Sequence, residues 1–188
     1  MENENNNDKF QRLKRSAIYF FELTKYVLIF IIIGLLLQLF VATIFRISGI
    51  SMEPNFFDGQ FVLVDKLTYE SSSPKRGDVV IMKFPADPEN RKFIKRIIGL
   101  PGETVEIKNN DILINGIRIQ ETYLERNIRT RPDLKRELND DEYFVIGDNR
   151  ENSNDSRFWG PLPENAIIGK AQIVLSGPIL SWVSEPAY

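Results

Sequence analysis

The sequence predicts a mainly β domain, barrel or sandwich, behind one N-terminal membrane helix. Three observations support this. Residues 26–45 are uncharged and apolar, broken only by Gly34, Gln38 and Thr43. As a helix they would rise ~30 Å, about one hydrocarbon core. From residue 60 on, short Val- and Ile-rich runs alternate with turn residues, the pattern of many short strands. No stretch after the apolar run holds a 3.6-residue period.

Residues 1–8, charged and Asn-rich, read as disordered. Residues 17–21, with Tyr19, Phe20 and Phe21, suit a membrane interface. The apolar run exceeds the ~7–15 residues of a signal-peptide core, which predicts an uncleaved anchor. Lys9, Arg12, Lys14, Arg15 and Lys25 precede the run, whereas Arg46 and Lys66 are the first bases after it. By the positive-inside rule this assigns 1–25 to the cytoplasm, 26–45 to the membrane and 46–188 to the exported side. The last segment, about 140 residues, is the size of one domain.

Strands are expected at 61–64, 78–84, 92–98, 104–108, 112–114, 117–119, 142–146 and 167–175. Asn115-Gly116 signals a two-residue hairpin. Three loops stand out: 70–77, 85–90 and 121–141. The last is charged and poor in apolar residues, so a surface insertion is expected there.

Composition excludes several chemistries. The 188 residues include no Cys and no His. Disulfides, thiol nucleophiles, thiolate metal sites and the commonest zinc ligand are therefore absent. No metal and no cofactor is expected. With 24 basic and 26 acidic side chains, nothing argues for nucleic-acid binding.

Ser51 follows the apolar run within six residues, in Ser48-Gly49-Ile50-Ser51-Met52-Glu53-Pro54. If Ser51 is a nucleophile, the lack of His rules out a Ser-His-Asp triad, and lysine is the leading base. Lys95 lies in Phe93-Ile94-Lys95-Arg96-Ile97-Ile98. On a strand it shares a face with Phe93 and Ile97 while Arg96 turns away. Apolar walls of this kind lower a lysine pKa; the alternative is an ordinary snorkelling surface lysine. The run Gly147-Asp148-Asn149-Arg150-Glu151-Asn152-Ser153-Asn154-Asp155-Ser156-Arg157-Phe158-Trp159-Gly160 also reads two ways. It is an Asx-rich surface loop, or a loop stiffened by ion pairs among Asp148, Arg150, Asp155 and Arg157 that presents a hydroxyl such as Ser153 to an ammonium.

In order, the Ser51 block, Arg76-Gly77-Asp78-Val79-Val80, the Lys95 block with Gly99-Leu100-Pro101-Gly102, and the run 147–160 together resemble the type I signal peptidases, membrane-anchored serine proteases. The resemblance covers the anchor and nearly all of 46–178. It implies a barrel-like antiparallel β body whose apolar surface meets membrane lipid. It further implies Ser51 as nucleophile, Lys95 as general base, Ser153 as the serine that orients the lysine, and Asp155 with Arg157 as a supporting ion pair. Asp148 with Arg96 matches a second pairing. Met52, Phe56, Phe93 and Ile94 fall where the family builds apolar substrate pockets. The Ser51 N–H is the implied oxyanion donor, and Gly49 stands where many members carry a serine that assists it. Asn55-Phe56 replaces the usual Thr-Leu, and the large inserted subdomain of longer members is missing.

The resulting expectation is a monomeric, anchored endopeptidase that removes signal peptides from exported preproteins. Two rivals remain open: a Ser-Lys protease with narrower substrates, and an inactive anchored module that binds peptides.

Overall fold

The computed structural model describes residues 2–85, 87–89, 91–125, 128–176, 179–183 and 186, with side chains from residue 12 on except at 16, 17 and 179. The chain divides into two compact units, Met1–Val41 and Ala42–Tyr188. The first is the helix α1 (Glu2–Phe40). Among the described residues it alone is long and apolar enough to cross a membrane, over Arg12–Phe40. Met1 lies outside the described residues; Glu2 to Asp8, expected to be disordered, begin the helix.

The apolar run does not remain helical to Phe45. Ala42–Arg46 form β1, in register with β2 (Phe61–Asp65) from Ala42↔Asp65 to Arg46↔Phe61. Thr43, Ile44 and Phe45 are β-branched or aromatic and suit a pleated surface. Pairing with β2 supplies ladder bonds that hydropathy alone cannot foresee.

The second unit is mainly β, barrel-like and antiparallel throughout. After α2 (Thr68–Ser71) come β3 (Val79–Lys83), β4 (Lys92–Gly99), β5 (Thr104–Lys108), β6 (Asp111–Ile114), β7 (Ile117–Arg118), β8 (Leu134–Glu137) and β9 (Glu142–Ile146). Then follow α3 (Ser156–Trp159), β10 (Leu162–Pro163), β11 (Ile167–Ser176) and β12 (Ile179–Trp182). One sheet runs β1-β2-β11-β3-β4-β9-β10, with β12 on β11; a smaller one runs β7-β6-β5-β8. The Asn115-Gly116 hairpin is as expected: Ile114 faces Ile117, and both turn residues have positive φ, 52° and 82°. That conformation matches the right-handed strand twist.

Alternation along the strands builds the core. Val62 and Val64 turn inward with Ile47, Val79, Ile81 and Val174. The opposite face of the same strands stays exposed. Ile44, Leu63, Ile173 and Trp182 lie in one cross-strand row, and Phe61, Leu175 and Leu180 in the next. Ile44, Phe61, Leu180 and Trp182 are 45–76 % exposed. Such an apolar sheet face is uncommon on a soluble surface.

Residues 121–141 are not a surface insertion. They contain β8, which extends the smaller sheet along β5, and they bury Thr130 and Leu138. Arg126 and Asn127 lie outside the described residues. Charge at 134–137 misleads because β8 is an outer strand whose side chains stay mostly exposed.

Candidate active site

Lys95 is fixed by the sheet. β4 pairs β3 on one side, Val80↔Lys95, and β9 on the other only at Arg96, Ile97 and Gly99. Phe93 and Ile97 share a cluster with Val80, Met82, Tyr143 and Val145, and the Lys95 side chain runs on this same apolar face, 2 % exposed. Phe84 packs edge-on against both Phe93 and Trp159, with centroids 5.6 and 5.5 Å apart. A small cavity of about 10 Å³ is left between Met82, Phe84, Phe93, Lys95, Asn154 and Trp159.

Ser51 is fixed by a turn. Its chain bends at Gly49, where φ is +92°, a conformation that L side chains rarely adopt. Phe56 N–H donates to Met52 O at 3.0 Å, closing one turn. That spacing drives Met52 and Phe56 into the core together, which aims Ser51 the other way. The Lys95 Nζ donates to Ser51 Oγ at 2.7 Å and to Ile94 O at 2.9 Å.

Burial lowers the Lys95 pKa from 10.5 to about 8, while Asp155 and Asp148 pull it back up. The folded chain therefore binds this proton less tightly than the unfolded chain. Below pH 8 the charged form costs about 3 kcal/mol of stability, and the cost fades between pH 8 and 10.5. Lys95→Met is expected to be more stable than the parent at pH 7 by about that amount. Denaturant melts from pH 7 to 10.5 should show the advantage shrinking; a constant difference would contradict the lowered pKa.

The run 147–160 closes over the turn. Asn149 N–H donates to Ser51 O at 3.0 Å, and Asn149 Nδ2 donates to Ile50 O at 3.0 Å. A Cβ on Gly147 would stand 2.2 Å from Ser153 Oγ and 2.4 Å from Ser51 O, so only glycine fits there. Arg157 grips Asp155 through Nε and Nη2 at 2.7 and 2.8 Å, and Asp155 also receives Gly147 N–H at 3.0 Å. Arg96 grips Asp148 through Nε and Nη2 at 2.9 and 2.7 Å, with both side chains at most 1 % exposed. Arg150 pairs with Glu121, not with the acids of its own run.

Three placements depart from the sequence reading. Ser153 is buried near Ser51, but its Oγ makes no hydrogen bond among the described residues. The expected bond to Lys95 is not formed; Nζ donates to Ser51 Oγ and Ile94 O. Gly49 does not offer its N–H to an oxyanion: Asp58 Oδ1 already accepts it at 2.7 Å. Met52, Phe56 and Ile94 are 0–3 % exposed and belong to the core, so they form the floor beneath the turn. Ile94 faces away from Lys95 because adjacent strand residues alternate. Of the four predicted pocket residues, only Phe93 is half-exposed. Among the described residues no group of acidic side chains could hold a metal ion.

Sequence reasoning missed Asn55, Glu121, Tyr123 and Asn149. Asn55 Nδ2 donates to Asp148 Oδ2 at 2.9 Å and to Tyr123 O at 3.0 Å. These partners are 93 and 68 positions away, so no local pattern announces them.

A family model described as signal peptidase, peptidase S26, matches residues 20–176. The chain belongs to this family. It is accordingly a signal peptidase, a hydrolase. It is 33 % identical over 184 residues to signal peptidase I T of Bacillus subtilis (strain 168), covering 93 % of this chain and 94 % of that one. It is 37 % identical over 172 residues to signal peptidase I of Bacillus amyloliquefaciens, covering 86 % and 88 %. A crystal structure of a signal peptidase I from Enterococcus faecalis V583 matches with a TM-score of 0.48 and 30 % identity, covering 54 % of this chain and 98 % of that one.

Proposed function

We propose that this signal peptidase is a membrane-anchored endopeptidase that removes signal peptides from exported preproteins, with Ser51 as nucleophile and Lys95 as general base. The observation that carries the reading is the 2.7 Å approach of a buried lysine amine to Ser51 Oγ. When Lys95 is neutral, the bond reverses and the hydroxyl donates to the amine lone pair. Ser51 Oγ attacks the carbonyl of the residue before the scissile bond, and Lys95 takes its proton. The tetrahedral oxyanion meets the Ser51 N–H, which has no other partner among the described residues. The Lys95 ammonium passes its proton to the leaving amine, and the acyl-enzyme remains. Neutral Lys95 then takes a proton from water, and hydroxide attack frees the signal peptide and restores Ser51. Ile94 O holds Nζ in line through both steps.

The substrate binds as an added strand. On the side where β9 pairs Arg96, Ile97 and Gly99, no described strand pairs residues 92–94. An extended peptide can bond that edge and place alternate side chains on the site, with small residues first and third before the cut. The exposed apolar face of β1, β2, β11 and β12 suits lipid contact. The bases before the apolar run assign the N-terminus to the cytoplasm and the second unit to the exported side.

Purified full-length chain incubated with an authentic preprotein should release the mature protein, with its new N-terminus at the signal-peptide junction; release by a Ser51→Ala control would refute the assignment of the nucleophile. The cleavage rate should rise with pH to a plateau with a midpoint near 8, because Lys95 accepts a proton only when neutral. A rate still proportional to hydroxide at about pH 10 would mean that free-lysine basicity, not a depressed amine, governs the step. For topology, protease added outside spheroplasts should digest residues beyond 46, and their protection would reverse the orientation.

A further inference from the structure

The nucleophile and its base are held by different means. Lys95 stands on a strand, paired with Val80 of β3, whereas Ser51 stands on a turn clasped by 147–150. Those residues have just left the β9 ladder, so their carbonyls and amides need other partners. Gly147 O finds one in Arg150 Nε at 3.1 Å. The Arg150 side chain is 1 % exposed. Burial works against its charge, and Glu121 outweighs that penalty. Glu121 accepts from both terminal nitrogens, with Nη1 to Oε2 at 2.9 Å, and Thr130 Oγ1 accepts from Nη1 at 2.7 Å. Tyr123 ties this group to the other buried pair. Its hydroxyl donates to Glu121, its ring lies 4.0 Å from the Arg96 guanidinium, and its carbonyl accepts from Asn55 on the turn.

We propose that Glu121 and Tyr123, in the segment joining β7 to β8, are positioning residues for the reaction: through Arg150, Arg96 and Asn55 they hold residues 147–149 and the Ser51 turn in line with Lys95. This rests on the Ser51–Lys95 reading. Without Glu121, the Arg150 cation cannot remain in the interior. As it leaves, Gly147 O loses its donor, Asn149 shifts with it, and the Ser51 carbonyl loses its anchor. Lys95 does not follow, because its own supports are its pairing with Val80 of β3 and the apolar face opposite Arg96. The loss falls on the alignment of Oγ with Nζ, hence on kcat, whereas the open edge of β4 that receives the peptide is untouched.

A purely structural ion pair makes a different prediction. In Glu121→Leu/Arg150→Met both buried charges are removed together, which typically leaves stability near the parent's. If the pair matters only for folding, this variant regains activity. If it positions Ser51, kcat stays low because Gly147 O still lacks its donor. The test uses the full-length chain in detergent, with kcat and KM for preprotein cleavage measured beside thermal melts. The expected result is a melting temperature near the parent's, kcat lower by about tenfold or more, and KM within about twofold. Tyr123→Ala, which removes both the hydroxyl on Glu121 and the ring over Arg96, should lower kcat in the same way. Parental kcat in a stably folded double variant overturns the proposal. Should that variant melt early, Glu121→Gln decides: reduced kcat with the pH midpoint still near 8 supports the proposal, and unchanged kcat overturns it. Failure of the parent chain itself to cut preprotein would instead refute the Ser51–Lys95 reading.

Discussion

Ser51→Ala and Lys95→Ala are each expected to lower preprotein cleavage by on the order of 10,000-fold, and the double variant should be little worse than either. In the proposed mechanism the two side chains, 2.7 Å apart, act as one unit. Removing the amine leaves a hydroxyl with no base, because the chain contains no histidine to replace it. Removing the hydroxyl leaves a base with nothing to activate but water. Neither change should unfold the protein: Ser51 is on a turn held by its backbone carbonyl, and Lys95 is a buried charge whose loss relieves a desolvation cost. Single-turnover cleavage of a preprotein, with melts run on the same preparations, separates the outcomes. A Lys95→Ala enzyme with near-parental turnover at pH 8 would end the dyad assignment.

Asp148→Ala should produce the largest loss of stability, about 3–5 kcal/mol, because it leaves the Arg96 guanidinium in the interior without its carboxylate. For a domain of this size that lowers the melting temperature by roughly 10 °C. Asn55 loses an acceptor in the same step. Arg96→Met/Asp148→Leu should recover most of the loss, since no charge is then stranded. Equal melting temperatures for the parent and Asp148→Ala would show that the pair adds nothing to the fold.

Much of this molecule is legible in order along the chain. Short Val- and Ile-rich runs between turn residues gave β2 through β6, β9 and β11, with a period of two at β5, and Asn115-Gly116 gave the hairpin that joins β6 to β7. The same period of two placed Lys95 with Phe93 and Ile97 and turned Arg96 to the other face, so the two adjacent cations already had different fates in the sequence. The chain was harder to read where pairing is nonlocal. β1 is an apolar stretch continuous with the helix, and only its register with β2 makes it a strand. The run 121–141 is too polar to suggest a core, yet Glu121 and Thr130 bond a buried arginine.

The sequence by itself determined which chemistry is available. A chain without histidine or cysteine leaves a serine and a lysine as the candidate pair, and the ordered motifs around Ser51, Lys95 and 147–160 identified the family. Tertiary structure alone decided the geometry in which that chemistry operates. It brought Ser51 and Lys95, 44 positions apart, into one hydrogen bond. It buried Met52, Phe56 and Ile94 as core, gave the Gly49 N–H to Asp58, and left Ser153 Oγ without the expected bond to Lys95. The reason is physical: residue type fixes what a group can donate, accept or bury, but its partner is chosen by packing between segments distant in sequence.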